Sequence, residues 1–106
     1  MYQADDLKRL GEMKALAPHD FEAWVNLDRI TGRKDGAVPN KVRELIAIAV
    51  AHTTQCPYCI QVHIKNAKKA GASKAEVAEA IFVAAALRAG GAAAHGGMAM
   101  RLYDEA

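Results

Sequence analysis

Apolar residues recur along this 106-residue chain at the spacing of an α-helix, and no stretch alternates as a half-buried strand would. Alanine, the strongest helix former, fills many of these positions, as in Ala84–Ala86 and Ala92–Ala94. The dipeptide Asp35-Gly36 could begin a hairpin, but it lies between a helical pattern and a proline and is interpreted as a loop. The sequence therefore predicts an all-α protein.

The boundaries of about six helices can be placed from capping signals. Ser73 followed by Glu76 forms a capping box, which marks the start of a helix. Gly71 is typical of the residue that ends a helix in the left-handed backbone conformation. Gly90-Gly91 is predicted to break or kink the chain. The predicted helices cover residues 4–16, 19–30, 39–54, 56–71, 73–90 and 92–103.

The length fits a single domain, residues 1–106, in which 1–38 forms N-terminal helices and a loop and 39–106 forms the core. Because alanine buries little apolar area per residue, a core rich in alanine stabilises one subunit only weakly. We therefore expect part of the core to lie between subunits of a homo-oligomer.

The charge pattern excludes several functional classes. The formal net charge is +2, with acidic and basic residues interspersed, so no surface is predicted to bind nucleic acid. No apolar run is judged long enough to span a membrane, and the acidic N-terminus does not resemble a signal peptide. The predicted location is the cytoplasm, where two cysteines more often serve catalysis or metal binding than structure.

The most informative segment is Cys56-Pro-Tyr-Cys59 at a predicted helix start. Two cysteines at this spacing can form a disulfide with little movement of the backbone. Pro57 suits the first helical position, which makes Cys56 the expected cap residue among unpaired N–H groups. The helix dipole and the Cys-x-x-Cys arrangement both favour the thiolate, the species that attacks disulfides and peroxides.

His63 and Glu44 complete a candidate catalytic set. His63 lies one helical turn after Cys59, so its imidazole can take the proton of that thiol. If the third and fourth helices form a hairpin turning near Thr54, Glu44 and His63 lie at the same level and can pair. The inferred order is Glu44 as orienting acid, His63 as base, Cys59 as activated thiol and Cys56 as its partner.

This pattern resembles the Glu…Cys-x-x-Cys-x-x-x-His signature of alkylhydroperoxidase AhpD-like proteins, within the carboxymuconolactone decarboxylase superfamily. The likeness runs from Pro39 to His95 and includes Lys41-Val-Arg-Glu-Leu-Ile-Ala and Gly71-Ala-Ser-Lys-Ala-Glu. It implies an AhpD-like helical bundle, assembled as a trimer or hexamer, that reduces hydroperoxides. It also implies no cofactor beyond the redox-active disulfide, which a lipoyl-type dithiol or a thioredoxin-like protein would reduce.

Other interpretations remain open at this point. The two cysteines could bind zinc together with His63 and either His52 or Glu44, or they could be inert buried thiols. The protein could also be a non-enzymatic redox sensor or small-molecule-binding protein. Tyr58, His52 and His95 are further candidates for lining a pocket.

Overall fold

The computed structural model describes residues 1–106 and contains five α-helices and no strands, which confirms the all-α prediction. Two short 3-10 turns, Asp6–Arg9 and Arg29–Gly32, precede α1 and follow α2. The helix count is one lower than the six predicted. The helices are α1 (Leu10–Leu16), α2 (Pro18–Asp28), α3 (Asn40–Thr54), α4 (Pro57–Lys69) and α5 (Lys74–Glu105).

The predicted break at Gly90-Gly91 is wrong, because α5 continues through both glycines as one 32-residue helix. Each glycine weakens a helix by about 1 kcal/mol relative to alanine. The alanine runs on both sides offset this cost, and no proline interrupts the backbone hydrogen bonds. The start of α5 is as predicted, since the side chains and backbone of Ser73 and Glu76 form a reciprocal capping box.

Helix α3 is the centre of the core and packs against both α4 and α5. Its first half is tied to the start of α5 by an ion pair of 3.0 Å between Lys41 and Glu76. The Ser73 backbone N–H and then the Lys41 ammonium lower the pKa of the Glu76 carboxyl. Six residues are buried, four apolar and two ionisable: Ile48, Ala51, Ala67, Ala84, Glu44 and His63.

The subunit is elongated, with extents of 54 × 36 × 31 Å and a radius of gyration of 17.9 Å. A compact chain of this length is expected near 13 Å. The 32-residue helix α5 accounts for much of this length, and it exposes large apolar side chains in both of its halves, such as Phe82, Leu87 and Met98. The subunit therefore leaves much apolar surface uncovered.

Helix α5 also meets the length and composition of a membrane-spanning helix, with a stretch of mean hydropathy 1.5 that is only 6% buried. The prediction that no apolar run reaches this length is wrong by this measure. Alanine supplies much of the apolar character here, so the segment does not contain an unbroken run of large apolar side chains. Length and composition do not separate a spanning helix from one that packs on another protein.

Candidate active site

A tight turn between α3 and α4 places the cysteine motif. Gln55 ends α3 in the left-handed conformation, with φ 56°. The next residue, Cys56, is the N-cap of α4, and its Sγ accepts a hydrogen bond from the backbone N–H of Cys59 at 3.2 Å. Pro57 occupies the first turn of α4, as its missing N–H and fixed φ favour. The sequence predicted both Cys56 as the cap residue and Pro57 at the first helical position.

Cys56 and Cys59 are joined as a disulfide, with their Cα atoms 5.3 Å apart. Both residues are half-buried. The spacing lets the pair open and close with little movement of the backbone.

Glu44 and His63 form the buried pair that the hairpin geometry predicted. Glu44 is 2% exposed, and its Oε2 lies 2.7 Å from Nδ1 of His63. A carboxylate can only accept hydrogen bonds, so this contact holds the ring proton on Nδ1 and leaves Nε2 as the basic nitrogen. The catalytic roles assigned to the two residues stay predictions.

His63 and Cys59 lie on the lining of the same cavity, which has a volume of about 430 Å³. His63 Nε2 has no hydrogen-bond partner in the protein, and no side-chain nitrogen or oxygen is both sealed from solvent and unpaired. The free nitrogen is therefore accessible. The other lining residues are mostly apolar: Asp28, Ile30, Thr31, Val38, Arg43, Ile46, Ala47, Val50, Ala51 and Thr54.

Glu44 lines a second, polar cavity of about 270 Å³, together with Lys34, Asn66 and Lys69. Only one carboxylate oxygen, Oε2, is hydrogen-bonded within the protein, and the absence of sealed unpaired atoms means that Oε1 can be reached by water. The buried pair thus connects an apolar cavity beside Cys59 with a polar cavity beside Glu44.

Tyr58, one of the three pocket candidates, holds the N-terminal segment instead. Its hydroxyl donates to Asp6 Oδ2 at 2.6 Å, and its ring packs edge-on against Tyr2 at 4.9 Å. This hydrogen bond lowers the pKa of the Asp6 carboxyl and raises that of the Tyr58 hydroxyl, because it stabilises the charged acid and the neutral phenol. Gln61 adds a bond to the backbone oxygen of Ala4 at 3.1 Å.

The remaining candidates, His52 and His95, each contact the backbone of their own helix. His52 Nδ1 contacts the Ile48 oxygen of its own helix at 2.7 Å, and His95 does the same with Gly91 on α5 at 2.6 Å. Neither is among the residues that line the apolar cavity. No group of three or more His, Cys, Asp or Glu side chains is arranged so that it could hold a metal ion.

Sequence reasoning missed several residues that line the apolar cavity. Ile30 and Val38 come from the loop between α2 and α3, and Arg43 comes from α3 itself. A signal for Arg43 was present, because it adjoins Glu44 on a helix that is otherwise apolar in its middle. The loop residues gave no signal, since an irregular segment has no periodicity to interpret.

The fold and the site define a small all-helical protein in which a Cys-x-x-Cys pair lies beside a buried carboxylate–imidazole pair. The family model of the carboxymuconolactone decarboxylase family matches residues 18–100. The chain belongs to this family, which includes the AhpD-like proteins.

Two bacterial relatives share most of the chain. A Paracoccus denitrificans protein described as "uncharacterized protein 4 in cox locus" is 43% identical over 96 residues, covering 91% of this chain and 86% of the relative. An uncharacterized protein of Cupriavidus necator is 30% identical over 95 residues, covering 90% and 80%. Membership of the family and the close cysteine pair are compatible with AhpD-like chemistry.

Proposed function

We propose that this protein is a thiol-dependent peroxidase and disulfide reductase that acts through Cys56 and Cys59. The observation that carries the proposal is the buried contact of 2.7 Å between Glu44 and His63, together with the cavity that His63 shares with Cys59. A carboxylate that orients an imidazole beside a thiol is the arrangement that activates sulfur nucleophiles. A structural role alone does not require a basic nitrogen left free beside a redox-active sulfur.

The proposed first step oxidises Cys59. His63 Nε2 takes the thiol proton, and the thiolate attacks the terminal oxygen of the hydroperoxide. The O–O bond breaks, the sulfur becomes a sulfenic acid, and the leaving alkoxide takes the proton back from His63 to give an alcohol. The Glu44 carboxylate stabilises the imidazolium while it exists. Water in the polar cavity can reach Oε1 of Glu44 throughout.

The later steps return the protein to its reduced form. The Cys56 thiolate attacks the Cys59 sulfenic acid, the S–O bond breaks, and water leaves with one added proton. This gives the disulfide present in the structure. An external dithiol, of the lipoyl type or on a thioredoxin-like protein, then reduces the pair and is itself oxidised to a disulfide. Such donors are kept reduced in the cytoplasm, which is the location we propose.

The test is turnover with a supplied donor. We expect the protein to consume several equivalents of cumene hydroperoxide per subunit when dihydrolipoamide is present, with cumyl alcohol formed in equal amount. Without the donor, consumption should stop after one equivalent and leave both cysteines in the disulfide. A protein that stops after one equivalent even with donors of both classes would be a redox sensor and would contradict the peroxidase proposal.

We also propose that the active form is a homo-oligomer, a trimer or a hexamer. Only six residues are buried in the subunit, and α5 exposes Leu87, Met98 and Leu102. Apolar patches of this extent are rare on monomeric proteins and mark surfaces that bind other molecules. A symmetric partner can cover the same face on every subunit.

Sedimentation equilibrium at micromolar concentration should therefore give the mass of a trimer or hexamer. Leu87→Glu places a charge in the proposed interface and should shift the population towards smaller species. Lys65→Glu, on an exposed position of α4, is the matched charge-altering control and should leave the mass unchanged. A folded monomer as the main species of the unmodified protein would contradict the proposal.

A further inference from the structure

One wall of the apolar cavity is formed by the chain between α2 and α3, which contains no α-helix. We call residues 30–38 the wall segment; it connects the turn after α2 to the start of α3 and supplies Ile30, Thr31 and Val38 to the cavity lining. The facing surface, on α3 and α4, carries the site residues Cys59 and His63. The width of the cavity therefore depends on how the wall segment is held.

Arg43 connects the wall segment to α3 at both of its ends. Its Nη1 donates to the backbone oxygen of Ile30 at 2.7 Å, and its Nε donates to that of Val38 at 3.1 Å. The segment also closes tightly around the guanidinium between these points, because a Cβ added at Gly36 would collide with Nη2. The planar fork of arginine can hold two such carbonyls at once, which a lysine ammonium on one stem matches poorly.

The other polar contacts of the wall segment are weaker or point elsewhere. Asn40 donates to the Gly32 oxygen at 3.4 Å, a long hydrogen bond. Arg33 pairs with Asp35 within the segment, and both side chains are exposed. Arg43 itself has no carboxylate partner within 4.0 Å, so the carbonyls of the wall segment are its main attachment.

We infer that Arg43 is a positioning residue that holds the wall segment across the cavity and so keeps the apolar lining near Cys59 and His63 in place for the substrate. The inference rests on the proposed function and names a residue that positions the wall of that site. The cavity volume of about 430 Å³ lies within the range of small-molecule sites, and its lining around the sulfur is mostly apolar. Hydrogen peroxide is too small and too polar to gain binding energy from apolar contacts with the wall segment.

Binding of cumyl alcohol, the product of cumene hydroperoxide, tests the inference without requiring turnover. Isothermal titration calorimetry should detect binding to the unmodified protein, and Arg43→Lys should raise its Kd roughly tenfold, the size of effect typical for lost apolar contacts in a pocket. Arg33→Lys makes the same change within the wall segment, away from the cavity, and should bind as the unmodified protein does. Circular dichroism checks that each variant is folded.

Gly36→Ala tests the same contact from the other side, because its added methyl group must displace the Arg43 guanidinium. It should weaken cumyl alcohol binding and speed amide hydrogen exchange in the wall segment, as Arg43→Lys should. In turnover, both variants should raise KM for cumene hydroperoxide by a larger factor than they lower kcat.

Two results would overturn the inference: no binding of cumyl alcohol to the unmodified protein, or equal binding by Arg43→Lys. A KM for cumene hydroperoxide that Arg43→Lys leaves unchanged would also count against it. If cumyl alcohol binds as expected but no hydroperoxide is turned over with any donor, the proposed function fails while the role of Arg43 stands.

Discussion

Replacing Glu44 with glutamine should slow the reaction of the reduced protein with cumene hydroperoxide by roughly 10²–10⁴-fold, as much as removing the base itself with His63→Ala. The reason is that the substitution changes the tautomer of His63. An amide in place of the carboxylate can donate its N–H to Nδ1 of His63, which moves the ring proton to Nε2. Nε2 would then be a donor and could not take the thiol proton. Stopped-flow measurement of a single oxidation isolates this step from the donor.

The exposed carboxylate of Glu79 provides the matched control, because it lies on α5 and makes no hydrogen bond or ion pair. Glu79→Gln should react at the normal rate. Glu44→Gln keeps the shape of a buried side chain, so thermal unfolding can show whether the variant retains its fold. A folded Glu44→Gln protein that reacts within about twofold of normal would show that the buried pair does not activate the thiol, given the size of the effect expected of a general base.

The pairing of Glu44 with His63 could be predicted from the sequence because it depends on counting residues along two regular helices. The turn between α3 and α4 is short, and its position is marked by Cys56 and Pro57. With a fixed rise of about 1.5 Å per residue, positions equally far from the turn lie side by side. The start of α5 was predictable for a similar reason, since its capping box lies within four consecutive residues.

The wall of the cavity could not be predicted in this way. The contacts of Arg43 with the oxygens of Ile30 and Val38 depend on the path of an irregular segment. The hydrogen bond from Tyr58 to Asp6 joins residues 52 positions apart in the sequence, and local sequence patterns do not predict contacts at such a separation. At Gly90-Gly91 the local signal was present but misleading, because the preference of two residues was outweighed by that of their neighbours.

The structure also sharpens the assignment of roles within the cysteine pair. Cys59 lines the apolar cavity with His63, whereas Cys56 is not among the lining residues and caps α4. A base within reach of a thiol contributes about 10²–10⁴-fold to the rate, while a helix terminus contributes typically under about 1 kcal/mol at an exposed site. Cys59 is therefore expected to meet the hydroperoxide, and Cys56 to resolve the sulfenic acid and exchange with the donor.

Single serine substitutions test this assignment. Cys56→Ser should react once with cumene hydroperoxide at nearly the normal rate and accumulate a sulfenic acid at Cys59, detected by dimedone labelling and mass spectrometry. The start of α4 should survive the change, because a serine hydroxyl can accept the Cys59 N–H bond that Cys56 Sγ now accepts, and serine is a preferred N-cap residue. Cys59→Ser should react more slowly by roughly 10²-fold or more, since the remaining thiol has no base beside it. If Cys59→Ser instead reacts as fast as the unmodified protein while Cys56→Ser is inert, the roles are reversed, and the helix terminus at Cys56 outweighs the imidazole beside Cys59.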